Sequence, residues 1–241
     1  MGDSNFPAAV SKSSRGARIR LYESLYKQYS TLNLTHESDR PLAIAGLEQR
    51  LINAFQTRGG HGVFQLYFER SLLWKRGSNS ALSKIDFPPE QIFRIPSWSW
   101  MAYKHGTIDY VSAPFNRTDW KPEIRSPWEQ TASASSWHTT DPSVSNTILR
   151  GIARDFRQTE LDEDILYDSI EPPASRVVKC VLLGKERLEG SRDERSQRHF
   201  VLLISPKLYS RGEKEYERVG VGILLAQSIS LAGEPPEIQI A

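Results

Sequence analysis

The side chains in this sequence best suited to chemistry are one cysteine, five histidines and a short run of carboxylates. Cys180 lies inside the apolar run Val177-Val178-Lys179-Cys180-Val181-Leu182-Leu183, where a thiolate is disfavoured, and no Gly-x-Ser-x-Gly elbow supplies a serine nucleophile. The histidines, His36, His61, His105, His138 and His199, stand far apart. No His-x-x-x-His, His-Glu-x-x-His or paired Cys/His spacing occurs among them, so no metal site is expected. Glu160, Asp162, Glu163 and Asp164 lack the ligand spacing and central glycine of a calcium loop and read as a solvated acidic turn. Arg58-Gly59-Gly60-His61-Gly62 falls between two expected helices without the Lys-Ser/Thr of a phosphate loop, and reads as a helix stop and close-packing turn. Near the end, Gly220-Val221-Gly222 carries two of the three glycines of a dinucleotide fingerprint with no helix after it. Neither a catalytic residue nor a cofactor follows from these patterns.

The aromatic residues are the other resource. All six tryptophans, Trp74, Trp98, Trp100, Trp120, Trp128 and Trp137, fall within 64 residues, which marks either a core junction or a recognition surface. Trp74, Trp98 and Trp100 sit in apolar segments and read as packing; Trp120, Trp128 and Trp137 sit in polar, proline-flanked loops. Spacing puts Trp98 and Trp100 on one face of a strand, and Lys104-His105-Gly106 turns that strand back onto Thr107-Ile108-Asp109-Tyr110-Val111 as a hairpin. Trp98, Trp100, Tyr103 and Tyr110 are then the candidate lining of a pocket for a nucleotide or sugar.

Composition limits what surrounds these groups. With 31 Lys+Arg against 29 Asp+Glu the net charge is +2, and the tryptophans are not interleaved with a basic stripe, so no nucleic-acid partner is expected. Apolar stretches are far shorter than the ~18 residues that cross a bilayer, and no signal core follows Met1, so no membrane partner is expected either. Phe6 stands where a myristoylation motif requires Ser or Thr. A lone cysteine points to a reducing, cytoplasmic compartment. The bias of Lys12, Arg15, Arg18 and Arg20 against Asp3 is shared by mitochondrial presequences, but the apolar residues there form no helical stripe, and the segment reads as a solvated tail.

Periodicity predicts an α+β fold, with a helical front half packed on an irregular antiparallel sheet or barrel-like half. After a disordered tail over 1–16, Ile19, Tyr22, Leu25, Tyr26 and Tyr29 form the stripe of a helix of about 13 residues. A second helix opens at Pro41 and carries Leu42, Ile44, Leu47, Leu51, Ile52 and Phe55; a third covers the run from Val63 to Trp74. From residue 77 to 225 the pattern is β-rich, with strands near 146–156, 176–183, 199–204 and 216–225. Thr131 to Thr147, nine Ser/Thr in 17 residues, reads as a flexible insert, and 226–241, carrying Pro235-Pro236, as a polar tail. Residues 17–225 are expected to fold as one unit.

The order of the motifs resembles the region downstream of the HET domain in fungal heterokaryon-incompatibility proteins. The resemblance rests on Tyr22-x-x-Leu25-Tyr26-x-x-Tyr29-Ser30, on Asp39-Arg40-Pro41-Leu42-Ala43-Ile44-Ala45-Gly46-Leu47, and on Arg70-Ser71-Leu72-Leu73-Trp74. It continues through Ile95-Pro96-Ser97-Trp98-Ser99-Trp100-Met101-Ala102-Tyr103, Gly106-Thr107-Ile108-Asp109-Tyr110 and Tyr216-Glu217-Arg218-Val219-Gly220-Val221-Gly222. Tyr22 stands where the family usually has Trp. Within these blocks Asp39, Arg40, Gly46, Trp74, Arg218 and Gly220 read as structural positions.

That resemblance implies a non-enzymatic accessory or regulatory region, acting in non-self recognition and programmed cell death, with a protein as its partner: a HET-type effector or a second copy. The hallmark strands of the HET domain itself do not occur here, so the chain is expected to be the C-terminal half of such a protein, a truncated gene or a remnant. Asp39 is expected to cap the second helix and Arg40 to anchor a neighbouring carboxylate or carbonyl. Gly46, costing about 1 kcal/mol against Ala in mid-helix, is expected to admit a closely packed segment, so that Gly46→Leu would lower the melting temperature sharply.

Overall fold

A computed structural model describes residues 10, 12–78, 81–88, 95–129, 147–157, 165–169, 177–188, 193–207 and 215–241. The N-terminal tail over 1–9, the acidic run at 160–164, Trp137 and His138, and nearly all of the Ser/Thr-rich stretch lie outside the described residues.

The fold is α+β, with helices at the front and a largely antiparallel sheet behind. Helix α1 (Arg15–Ser30) starts earlier than its stripe suggests, because Ser14 accepts a hydrogen bond from the Ala17 N–H and caps it. The expected tail boundary at 16 is therefore too late, and Val10 is already buried in the helical core. Ile19, Tyr22 and Tyr26 face inward at helical spacing. Helix α2 (Arg40–Phe55) carries Pro41 in its first turn and ends where Gln56 takes a left-handed conformation. It buries Ile44, Leu51, Ile52 and Phe55 but leaves Leu42 exposed, outside the stripe assigned to it.

The third apolar run does not form one long helix. Strand β1 (Gly59–Gly60) pairs with β2 (Val63–Phe64) across a tight turn at His61-Gly62, whose φ angles of 56° and 81° are both positive. A 3₁₀ turn over Gln65–Tyr67, a single-turn helix α3 (Phe68–Ser71) and strand β3 (Trp74–Arg76) follow. An all-apolar run fits several backbones, and here it is divided between two cores, with Phe64, Tyr67 and Trp74 in one and Phe68, Leu72 and Leu73 in the other.

The expected hairpin at 98–111 also divides. Trp100–Ala102 is a 3₁₀ turn, because the Ser99 side chain accepts from the Met101 N–H and competes with strand geometry. Strand β5 (Tyr103–Lys104) pairs with β4 (Ser83–Lys84), while β6 (Ile108–Tyr110) pairs with β3, placing Tyr110 opposite Trp74. Only the turn survives from the expectation, with His105 at φ 62°.

Eight strands form the main sheet: β7 (Thr118–Asp119), β8 (Ile124–Arg125), β9 (Leu149–Ile152), β10 (Leu166–Tyr167), β11 (Lys179–Glu186), β12 (Arg198–Pro206), β13 (Glu215–Leu225) and β14 (Glu237–Ile240). Their order is β7-β11-β12-β13-β14-β9-β8, with β10 laid on β13. The sheet curls until β9 meets β11. Just past β9, Arg154 exchanges both backbone hydrogen bonds with Cys180 at 2.8 and 2.9 Å, and the Glu123 N–H donates to the Leu182 carbonyl at 2.8 Å. Strands β11, β12, β13, β14 and β9 thus close a small barrel, and β7 and β8 stand at the two ends of the strand order. Its core holds Val181, Leu183, Phe200, Leu202, Val221 and Ile223, whereas alternate residues Cys180, Leu182, Val201 and Leu203 pack into a second cluster on the other face. Burial on both faces is why these strands read as unbroken apolar runs.

Strand β14 corrects the expectation of a polar tail. Glu237-Ile238-Gln239-Ile240 alternates exposed and buried, pairs parallel to β13 and antiparallel to β9, and buries both isoleucines in the barrel core. Four alternating residues behind Pro235-Pro236 are too short a signal to stand out in the sequence.

Candidate functional site

Serine and tryptophan alternate through Ser97-Trp98-Ser99-Trp100, and the turn backbone sends the two indoles to different places. Trp98 enters the barrel core and donates from its indole N–H to the Thr147 carbonyl at 2.9 Å. Trp100 enters the helical core beside Tyr26, with ring centroids 5.4 Å apart, and its indole lies against Gly62. A Cβ at Gly62 would stand 2.4 Å from the indole nitrogen, so the glycine turn is a close-packing turn as its sequence suggests. Between the rings, the Ser99 hydroxyl donates to the His61 carbonyl at 2.8 Å. Tyr103 and Tyr110 are buried with Trp100. The four rings expected to line a pocket are therefore packing elements, and none borders the cavity or the groove found between α1 and β7.

Arg218 joins the two halves of the molecule. From β13 its wholly buried guanidinium makes a two-pronged pair with Asp168, Nε to Oδ2 at 2.9 Å and Nη2 to Oδ1 at 3.0 Å. It also donates to the carbonyls of Leu72, at 2.7 Å, and Trp74, and its Cζ lies 3.4 Å from the centre of the Trp74 ring. The Trp74 indole in turn donates to the Trp98 carbonyl at 2.9 Å. The Arg218 N–H donates to the Ser97 hydroxyl, which donates to the Ala241 carbonyl. Burial raises the Asp168 carboxyl, and the guanidinium opposes that shift. Asp168 is held on the barrel because Gly220 lets β10 approach: a Cβ there would meet the Leu166 carbonyl oxygen at 2.4 Å.

The remaining motif residues divide. Arg40 is buried and donates to the Leu32 carbonyl at 3.4 Å and to Glu37 at 3.2 Å, anchoring a carbonyl and a carboxylate as expected. Asp39 precedes α2 in helical conformation, and its side chain makes no capping hydrogen bond. Gly46 is exposed, with nothing within 4 Å of where a Cβ would stand, so the close packing expected there is absent and its helix cost is uncompensated.

Burial displaces the protonation of several further groups. Glu48 accepts from the Gly62 N–H at 2.6 Å, and burial pushes its carboxyl up to about 7. Burial also pushes Glu23 up to about 7, with Arg70 at 3.9 Å opposing it. His61, edge-on to Trp98 at 5.7 Å, is lowered to about 4 by burial. Cys180 is buried and pushed up to about 12, an inert thiol as its apolar run implies. Among the described residues no three His, Cys, Asp or Glu side chains group as metal ligands, and no helix is long and apolar enough to cross a membrane.

Open space gathers where the start of α1 faces α3 and the segment leading into β7. A cavity of about 130 Å³ is bounded by Arg15, Tyr67, Glu69, Arg70, Phe115 and Trp120. It opens into a groove of about 760 Å³ that runs on past Gln65, Leu66, Asp119 and Arg187. Arg70 is fixed between rings, its Cζ 4.3 Å from the centre of Phe115 and 5.5 Å from that of Trp120, and it donates to the Ala113 carbonyl. Arg70 belongs to one of the sequence blocks; its role here had no local signal, since Phe115 and Trp120 reach it from 45 or more positions away. Asp168 was equally silent, lying fifty residues from Arg218.

Compared with protein-family models, curated proteins and solved structures, the chain finds no match in any of the three.

Proposed function

We propose that this chain is the non-enzymatic accessory region of a heterokaryon-incompatibility-type protein, working by protein contact in fungal non-self recognition and programmed cell death. What supports the reading is where the motif blocks meet. Leu72 and Trp74, Ser97 and Trp98, and Arg218 and Gly220 come from three blocks far apart in sequence, and they converge on one buried cluster with Asp168. Residues held together for that purpose tie a helical layer to a barrel; they present no nucleophile, base or open ring to a substrate. The partner is a HET-type effector, and the compartment is the cytoplasm, in keeping with a single inert thiol at Cys180. A pocket of Trp98, Trp100, Tyr103 and Tyr110 for a nucleotide or sugar is disfavoured by their burial.

The test is direct. A purified HET domain from a fungal heterokaryon-incompatibility protein, supplied in trans, is expected to bind the intact chain saturably in biolayer interferometry. A set of such domains that all fail to bind folded chain overturns the reading.

A further inference from the structure

The first half of α2 turns an apolar face to solvent. Between Pro41 and Leu47 only Ile44 is buried, and Leu42 is 58% exposed. Asp39, Leu42, Ala43, Gly46, Arg50 and Asn53 follow one another at three- and four-residue spacing, and all six are exposed. Arg40 is buried on Glu37, and Glu48 accepts from the Gly62 N–H, so the charges left on the exposed face are Asp39 at its start and Arg50 three turns on. Two features of this helix find no use within one chain. Asp39 makes no capping hydrogen bond, and Gly46 weakens the helix with nothing within 4 Å of where a Cβ would stand.

We propose that this face of α2 is the interface of a homodimer, in which α2 packs antiparallel on α2 of a second copy about a two-fold axis at Gly46. The occupant follows from the self-complementarity of the face. With the axis at Gly46, Leu42 meets the aliphatic stem of Arg50 of the second copy, and Asn53 meets its Asp39. At 1.5 Å per residue that Asp39 lies about 4.5 Å beyond Arg50 along the axis, within reach of the guanidinium. The Asn53 side-chain oxygen already accepts from Gln49 at 3.1 Å, which leaves its amide nitrogen to donate to the same carboxylate. A parallel pairing would set Asp39 on Asp39 and Arg50 on Arg50 and align the two helix dipoles, so charge selects the antiparallel one. Glycine at the crossing lets the two backbones approach, and Leu42 and Ala43 leave water on both copies. One helix pair buries less than the roughly 1,200 Å² of a stable interface, so the dimer exchanges with monomer. The inference goes beyond the family reading and does not depend on it.

Sedimentation velocity of the intact chain over about 5 to 500 µM tests this, because a weak dimer shows itself as a sedimentation coefficient that rises with concentration. Gly46→Glu brings two carboxylates together on the axis and should weaken association at least about tenfold. Asp39→Arg and Arg50→Asp should each weaken it as well. The double variant Asp39→Arg/Arg50→Asp, which restores the pair with its signs exchanged, should recover it. All three positions are exposed, so unchanged melting of the dilute variants confirms that they are folded. A chain that stays monomeric at every concentration overturns the proposal. So does a dimer that folded Gly46→Glu leaves intact, or one in which the double variant associates no better than the single ones. A monomeric chain whose Gly46→Glu variant loses HET-domain binding makes this face the site for that partner and overturns the dimer too.

Discussion

Arg218 and Asp168, fifty positions apart, form a two-pronged ion pair with both side chains closed off from water, and the same guanidinium holds the carbonyls of Leu72 and Trp74. Removing one partner strands the other as a buried charge. Arg218→Ala or Asp168→Asn is therefore expected to cost about 3–5 kcal/mol in urea unfolding. The double variant Arg218→Met/Asp168→Leu should recover only part of that loss, because two buried carbonyls remain without donors. Single variants unfolding within about 0.5 kcal/mol of the parent would show that the pair holds nothing together.

Two glycines are expected to respond in opposite directions. Gly62 has φ 81° and an indole nitrogen where a Cβ would sit, so Gly62→Ala should lower the melting temperature by several degrees. Gly46 lies exposed in α2 with open space around it, so Gly46→Ala should stabilise by about 0.5–1 kcal/mol. Gly46→Leu, read from the sequence as disruptive, should be harmless. Paired thermal melts check all three.

Protonation of Glu48 is expected to leave a mark on stability. Its carboxyl titrates at about 7 in the fold against 4.5 as the reference value, so the folded state holds the proton more tightly. That contribution is fully present below pH 4.5 and is lost as pH rises through about 7. Glu48→Gln abolishes the dependence: relative to the parent, its melting temperature should climb as pH is raised across that window. His61 acts in the opposite sense, favouring the fold above pH 6.5 and losing that contribution as pH falls toward 4. A pH-independent difference between Glu48→Gln and the parent would remove the assignment.

Cys180 should resist modification. Buried and with its thiol pushed up to about 12, it is expected to react with an aromatic disulfide reagent only as fast as the barrel opens. Reaction should become rapid in denaturant. Fast labelling of the folded chain would contradict the closure of β9 on β11.

The amino-acid sequence determined the helical front, the three long strands β11 to β13 and the inertness of Cys180, because each is written in local pattern: a stripe three or four residues apart, or a mostly apolar run. It also carried the blocks around Trp74, Trp98 and Arg218, and these do lie at the structural centre. Only the tertiary structure decided what those residues meet. Trp98 and Trp100, alternating in sequence, part into two cores because Ser99 bends the backbone into a turn. Ile238 and Ile240 become barrel strands only when β9 and β13 offer their edges. Asp168 finds Arg218, and Trp120 and Phe115 find Arg70, across stretches of chain that no local pattern links. The physical reason is common to all of these: a strand's partner, a buried ion pair and a groove are relations between distant segments, and their free energy appears only when the chain has brought both sides together.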